Sequence, residues 1–148
     1  MRAVLQRTTA ARVTVDGQTV GSIGLGWLVL VGIAPTDAQS DAAKLADRIA
    51  GLRAFADEAG KMNLNLNAVQ GSVLVVSNFT LYADCRKGRR PSFTQSAAAD
   101  VALPIYEMFL RELRLLGVPV QAGVFGADMR IELVNDGPVT FVLDTTEF

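Results

Sequence analysis

The dipeptide Asp16-Gly17 constrains this chain more than any other feature, because it stands between two runs that read as strands, Arg12–Val15 and Gln18–Ile23. Asp-Gly accepts the positive φ of the tight turns that join neighbouring antiparallel strands, so these two runs pair with each other. Arg2–Arg7 has the same strand character, and Asn135-Asp136-Gly137-Pro138 reads as a second turn, between Met129–Val134 and Val139–Leu143. Strands joined so directly run antiparallel, whereas parallel neighbours need a long crossover. Trp27–Gly32 and Val73–Val76 are short, continuous apolar runs suited to buried strands.

Two segments carry a helical period instead. After the break at Pro35-Thr36-Asp37, Ala42, Leu45, Ile49 and Leu52 fall on one face, with Asp41, Lys44, Asp47 and Arg48 outward. Ala98–Leu116 lines up Ala102, Tyr106, Phe109, Leu113 and Leu116, and Gly117 and Pro119 stand where a helix stops. Asp57–Gly60 is a polar turn, and Lys61–Gln70 is Asn-rich and reads as irregular. The expectation is one α+β domain over residues 1–148, a largely antiparallel, barrel-like set of strands covered by two helices. A chain of 148 residues is one domain's worth and buries about two-thirds of its unfolded surface.

Chemistry is narrowed by what is missing. The sequence has no histidine, which removes the usual neutral-pH base, the usual triad partner and the commonest metal ligand. With Cys85 as the single cysteine, neither an internal disulfide nor a zinc-type cluster is expected. The apolar run Trp27–Ile33 is cut off by Gly26 and Pro35, far short of a membrane span, and the stretch after Arg2 lacks the apolar core of a signal peptide. The expectation is a soluble cytoplasmic protein with no membrane partner. An enzyme of this composition works by positioning, by backbone electrostatics, or with help from its substrate.

Three segments invite chemistry. Ser77-Asn78-Phe79-Thr80-Leu81 ends an apolar strand, where free backbone N–H groups can assemble an oxyanion hole. It also reads as a strand that simply continues with hydroxyls on its wet face. Asn135-Asp136-Gly137-Pro138-Val139-Thr140 is locally a plain turn, and its Gly-Pro bond is one that can be cis. Arg86-Lys87-Gly88-Arg89-Arg90 puts four cations in five positions in a chain of net charge −1. Charge so localised suits contact with one part of a nucleic acid, or else a solvated loop.

In this order and at these positions, the segments resemble the D-aminoacyl-tRNA deacylases nearly end to end. Met1–Arg7, Gly51-Leu52-Arg53, Gly60-Lys61-Met62-Asn63, Ser77–Tyr82, Arg86–Phe93, Phe125-Gly126-Ala127-Asp128-Met129 and Asn135–Thr140 carry the likeness. The resemblance implies that family's fold. It also implies a homodimer that hydrolyses the ester between a D-amino acid, or glycine, and the 3′-terminal adenosine of tRNA, without a metal or other cofactor. It implies that Ser77, Asn78, Phe79 and Thr80 line the catalytic pocket, with Asn78 standing where the family has Gln. It further implies that Gly137 and Pro138, inserted into the partner subunit's pocket and braced by Arg7, exclude L-amino acids, with Met129 as a pocket wall. Met129 is equally a core residue on its own terms, and Arg7 a surface arginine on a strand. Arg86, Lys87, Arg89 and Arg90 become the tRNA contacts. With no base beside Thr80, the expected mechanism uses backbone N–H groups near Phe79 and Thr80 and the ribose 2′-hydroxyl. The alternatives are a non-catalytic tRNA-binding relative and a related editing deacylase with relaxed chirality.

Overall fold

A computed structural model describes the whole chain, Met1–Phe148. Strand β1 (Arg2–Val15) is its spine. At Asp16-Gly17, with φ of 49° and 79°, it turns into β2 (Gln18–Ile23), which pairs antiparallel from Val15↔Gln18 to Ala11↔Ile23. The chain bends at Gly24-Leu25, and β3 (Gly26–Gly32) continues along the same edge from Thr8↔Gly26 to Arg2↔Gly32. The other edge of β1 is taken by β8 (Arg130–Asp144), antiparallel from Thr14↔Arg130 to Arg2↔Asp144.

Two crossovers build the rest of the sheet. One passes through α1 (Gln39–Gly51) and a small hairpin, β4 (Phe55–Ala56) with β5 (Met62–Leu64), into β6 (Ser72–Ser77), which lies parallel to β3. The next passes through a 3-10 turn at Phe79–Tyr82 and α2 (Ala99–Leu115) into β7 (Val120–Ala122), parallel to β6. The sheet order β2-β1-β3-β6-β7 curls until its two ends approach. A Cβ on Gly21 of β2 would stand 3.1 Å from the Ala122 carbonyl of β7, so a side chain there would crowd the point where the barrel closes.

β3 and β6 are buried on both faces, which is why they read as unbroken apolar runs. Alternate residues face opposite cores. Trp27, Val29, Val31, Val73 and Val75 pack outward against Leu45 and Ile49 of α1 and Phe109 and Leu113 of α2. Leu28, Leu74 and Val76 point into the barrel, against Ala11 and Val13. The helix α1 begins at Ala38, which has no side-chain oxygen, so the Asp41 carboxylate accepts the Ala38 N–H instead, at 2.8 Å. The buried Met1 ammonium donates to Asp37 Oδ1 and Thr145 Oγ1, each at 2.6 Å, and fixes the start of β1. No helix is long and apolar enough to cross a membrane.

The structure corrects or sharpens four sequence expectations. Asn135–Pro138 is not a turn between two strands, because Arg130–Asp144 is one strand of 15 residues. Its register with β1 jumps from Thr8↔Asn135 to Gln6↔Thr140, so residues 136–139 bulge out opposite the single residue Arg7. An uninterrupted β1 offers ladder partners on both sides, and the segment loops out without reversing. Second, Ser77 is the last residue of β6, and the chain leaves the sheet there rather than continuing as a strand. Third, the sheet is largely antiparallel as expected, through the three pairings made by β1, and β3–β6 and β6–β7 add a parallel part that makes it mixed. Fourth, Lys61–Gln70 contains β5, closed by Arg53, which donates to the Asn63 carbonyl at 2.7 Å.

Candidate functional site

The end of β6 is shaped by Asn78. Its backbone is extended, its N–H donates to the Val31 carbonyl at 2.8 Å, and its side chain caps the 3-10 turn that follows. Asn78 Oδ1 accepts the Thr80 N–H at 3.1 Å and the Thr80 hydroxyl at 2.6 Å. Asn is among the best residues for this duty because its short amide reaches the orphan donors of a first turn. Gly32 holds the turn against β3, since a Cβ there would stand 3.1 Å from the Asn78 carbonyl oxygen and from Tyr82 Cδ2. From below, Arg2 Nη1 donates to the Leu81 carbonyl at 2.9 Å while its guanidinium lies 4.8 Å from the centre of the Tyr82 ring. Asp144 holds Arg2 in place through Nε at 3.0 Å and Nη2 at 2.9 Å. Burial, with Asp37 and Asp144 adding negative charge, pushes the Tyr82 hydroxyl well above its ordinary range.

Beside this turn opens a mostly apolar cleft of about 510 Å³, large enough for a nucleoside-sized ligand. Ser77, Asn78, Phe79, Phe125, Asp128 and Met129 are among the residues that line it. Met129 does both things the sequence allowed: it lines the cleft and packs against the barrel core. Thr80 is exposed, does not line the cleft, and gives its hydroxyl proton to an amide oxygen, which is no base. Its N–H is likewise taken by Asn78, so of the two amides expected to face an oxyanion, only that of Phe79 lacks a side-chain acceptor.

Gly137 and Pro138, joined by a cis peptide bond, are exposed on the bulge of β8 and do not line the cleft of their own chain. Asn135 closes that bulge by acting as a ladder partner for Val139: Nδ2 donates to the Val139 carbonyl at 3.0 Å, and Oδ1 accepts the Val139 N–H at 3.1 Å. Arg7, at 13% side-chain exposure, is not a surface arginine. Its Nε donates to the Asp136 carbonyl at 3.0 Å and lies 3.0 Å from Asp136 Oδ2, while Nη1 donates to the Ala54 carbonyl at 2.7 Å.

The basic residues stand on a closed loop. Asp84 and Ser92 exchange backbone bonds of 2.7 and 2.9 Å, and Cys85 to Pro91 lie exposed between them. Arg86 folds back onto Asp84, at 2.8 Å from Nε and 2.7 Å from Nη2, and these bonds hold the Asp84 carboxyl well below the usual range. Lys87, Arg89 and Arg90 make no ion pair and are the free cations of the loop. Directly after the loop, Phe93 meets Phe79 at 5.0 Å between ring centroids, so the loop is anchored at the cleft's edge. Arg2, Asn135 and Phe93 lay inside segments singled out in the sequence, but were assigned no part there. Their signal is a tertiary partner, which one sequence does not display.

The deacylase family model described as D-Tyr-tRNA(Tyr) deacylase matches residues 4–144. Over 145 residues the chain is 55% identical to the D-aminoacyl-tRNA deacylase of Geobacter sulfurreducens, covering 98% of this chain and 95% of that one. It is 57% identical to the D-aminoacyl-tRNA deacylase of Thermus aquaticus over 147 residues, covering 99% and 97% of the two chains. Among solved structures, the c-Myc DNA Unwinding Element Binding Protein superposes with a TM-score of 0.90 at 38% identity, over 97% of this chain and 98% of that one. A second, "a probable eukaryotic D-amino acid tRNA deacylase", gives a TM-score of 0.85 at 18% identity over 96% and 97%, a likeness of fold alone. By a match that spans almost every residue, the chain belongs to the D-Tyr-tRNA(Tyr) deacylase family.

Proposed function

We propose that this chain hydrolyses the ester bond of D-aminoacyl-tRNA, and of glycyl-tRNA, as a cytoplasmic homodimer that spares L-aminoacyl-tRNA. The observation that carries this reading is the largely apolar cleft at Ser77–Phe79, whose Phe79 meets Phe93 at the end of the cationic loop. Water attacks the ester carbonyl carbon, and the Phe79 N–H holds the oxyanion that develops. Collapse breaks the bond to the ribose 3′-oxygen, which leaves with the proton given up by the attacking water, while the neighbouring 2′-hydroxyl orients that water and relays its proton. Ser77 and the free Nδ2 donors of Asn78 orient the aminoacyl-adenosine. Thr80 shapes the turn and does not attack. Arg86, paired with Asp84, steadies the loop, while Lys87, Arg89 and Arg90 take tRNA phosphates.

Chirality is read by Gly137 and Pro138 of a second copy. Along β8 they lie on the order of 20 Å beyond Ile131, where the strand leaves the cleft. Their own chain therefore does not bring them to it. β8 has an unpaired outer edge and exposes Val134 and Val142, at 59% and 65%, a surface suited to a second copy. A main-chain wall fixed by Arg7 and Asn135 fills the volume that an L side chain needs, and glycine passes because it has none.

One assay tests this: D-aminoacyl, L-aminoacyl and glycyl esters compared on the same tRNA, with the purified chain. The D and glycyl esters are hydrolysed and the L ester survives. Binding of tRNA without hydrolysis of any ester would instead support a nucleic-acid-binding relative, an alternative favoured by the name of the 38% identical solved structure. Equal loss of D and L esters would support an editing deacylase of relaxed chirality.

A further inference from the structure

At the rim of the cleft stands an aromatic pair that hydrolysis itself does not require. Phe79 and Phe93 meet at 68°, edge against face, so only one face of one ring is covered by the other. The rings are 57% and 40% exposed, whereas Trp27, Tyr106 and Phe109 are buried. Phe93 follows directly on the ladder that closes the cationic loop, and Phe79 lines the cleft. The exposed pair therefore joins the cleft wall at Phe79 to the end of the loop that carries the unpaired cations Lys87, Arg89 and Arg90.

A single strand of nucleic acid needs this combination: cations for its phosphates and aromatic faces for bases that no longer stack on each other. A duplex does not use it, because its bases are already stacked and paired. We infer that Phe93, with Phe79, forms a stacking platform for the unpaired nucleotide 5′ of the terminal adenosine, whose phosphate the Lys87–Arg90 loop takes. The inference rests on the deacylase reading for the identity of its ligand. It makes the chain a reader of the single-stranded 3′ end as well as of the aminoacyl-adenosine in the cleft.

The test compares a D-aminoacyl ester of the trinucleotide cytidylyl-cytidylyl-adenosine with the same ester of adenosine alone. The unaltered chain prefers the trinucleotide, and Phe93→Ala reduces that preference about tenfold, the size of one lost base–aromatic stack. Phe93→Tyr restores it. An unchanged preference, or an equal loss on both esters, overturns the platform. A second measurement needs no hydrolysis. The sequence has one Trp, the buried Trp27, so Phe93→Trp adds an exposed indole whose emission the trinucleotide quenches and adenosine does not. Quenching without hydrolysis of either ester keeps the platform and removes the deacylase reading. Hydrolysis with neither quenching nor a change of preference removes the platform alone.

Discussion

Asn78 Oδ1 is committed to the Thr80 N–H and hydroxyl, and on the proposed mechanism its unpartnered Nδ2 donates to the substrate. Asn78→Ala therefore costs about 1 kcal/mol as a lost cap and lowers kcat/KM more than that loss of stability explains. Thermal unfolding and hydrolysis of one D-aminoacyl ester, measured on the same preparation, separate the two effects. Thr80→Ala keeps most of its activity, while a substrate ending in 2′-deoxyadenosine is cleaved poorly by the unaltered chain. A folded but inactive Thr80→Ala protein would refute the backbone mechanism. The sequence singled out Ser77–Thr80 as one segment, of which the structure brings Ser77, Asn78 and Phe79, but not Thr80, to the cleft. It left undecided which atoms face the ligand, since that depends on whether the strand ends at Ser77.

At the scale of elements, the 3-10 turn is held by residues distant in sequence. Arg2 joins the Leu81 carbonyl to Asp144, so Arg2→Ala loosens the turn and lowers kcat more than it raises KM, with Arg2→Lys recovering only part. Burial alone would raise the Asp144 carboxyl, but bonds from Thr146 and Arg2 outweigh it and hold the group below its ordinary value. A depressed folded value means that Asp144 stabilises the fold above the normal carboxylate range and loses that contribution as pH falls through the folded value. Asp144→Asn should flatten this part of an acid titration followed by circular dichroism. Gly26 joins the two halves of the bent partner of β1. At its φ of 151°, a Cβ would overlap the Ser72 carbonyl, so Gly26→Ala costs about 3 kcal/mol or more in denaturant unfolding. Local patterns showed where the long strands and both helices lie, but not the short strands β4, β5 and β7, because burial and period are written only over longer runs. Pairing is not written that way. Asn-Asp-Gly-Pro has turn chemistry, and only the unbroken β1 opposite makes it a bulge.

Across the whole molecule, two cores share β3 and β6, and Tyr106 lies where the outer core meets the sheet. Burial pushes its hydroxyl from 10.0 up to about 12. A raised folded value means full stability below the unfolded value and a loss as pH climbs from about 10 to about 12. The alkaline unfolding curve of Tyr106→Phe should be correspondingly shallower over that interval. Class, helix number and the barrel-like strands were legible in the sequence, because they follow from composition and period. The parallel half was not, since a crossover through a helix leaves no mark on the strands it joins.

The pairing of the first long strand with the last, Arg2 opposite Asp144, has a consequence for synthesis on the ribosome. At about 5–20 residues per second, β1 emerges on the order of ten seconds before β8. Through that interval one whole edge of a 14-residue strand has no partner. Any copy interrupted before residue 130 keeps this edge open for good, a template for pairing with other nascent chains. Quality control during translation therefore falls on the residues from Arg130 onward, which close the sheet.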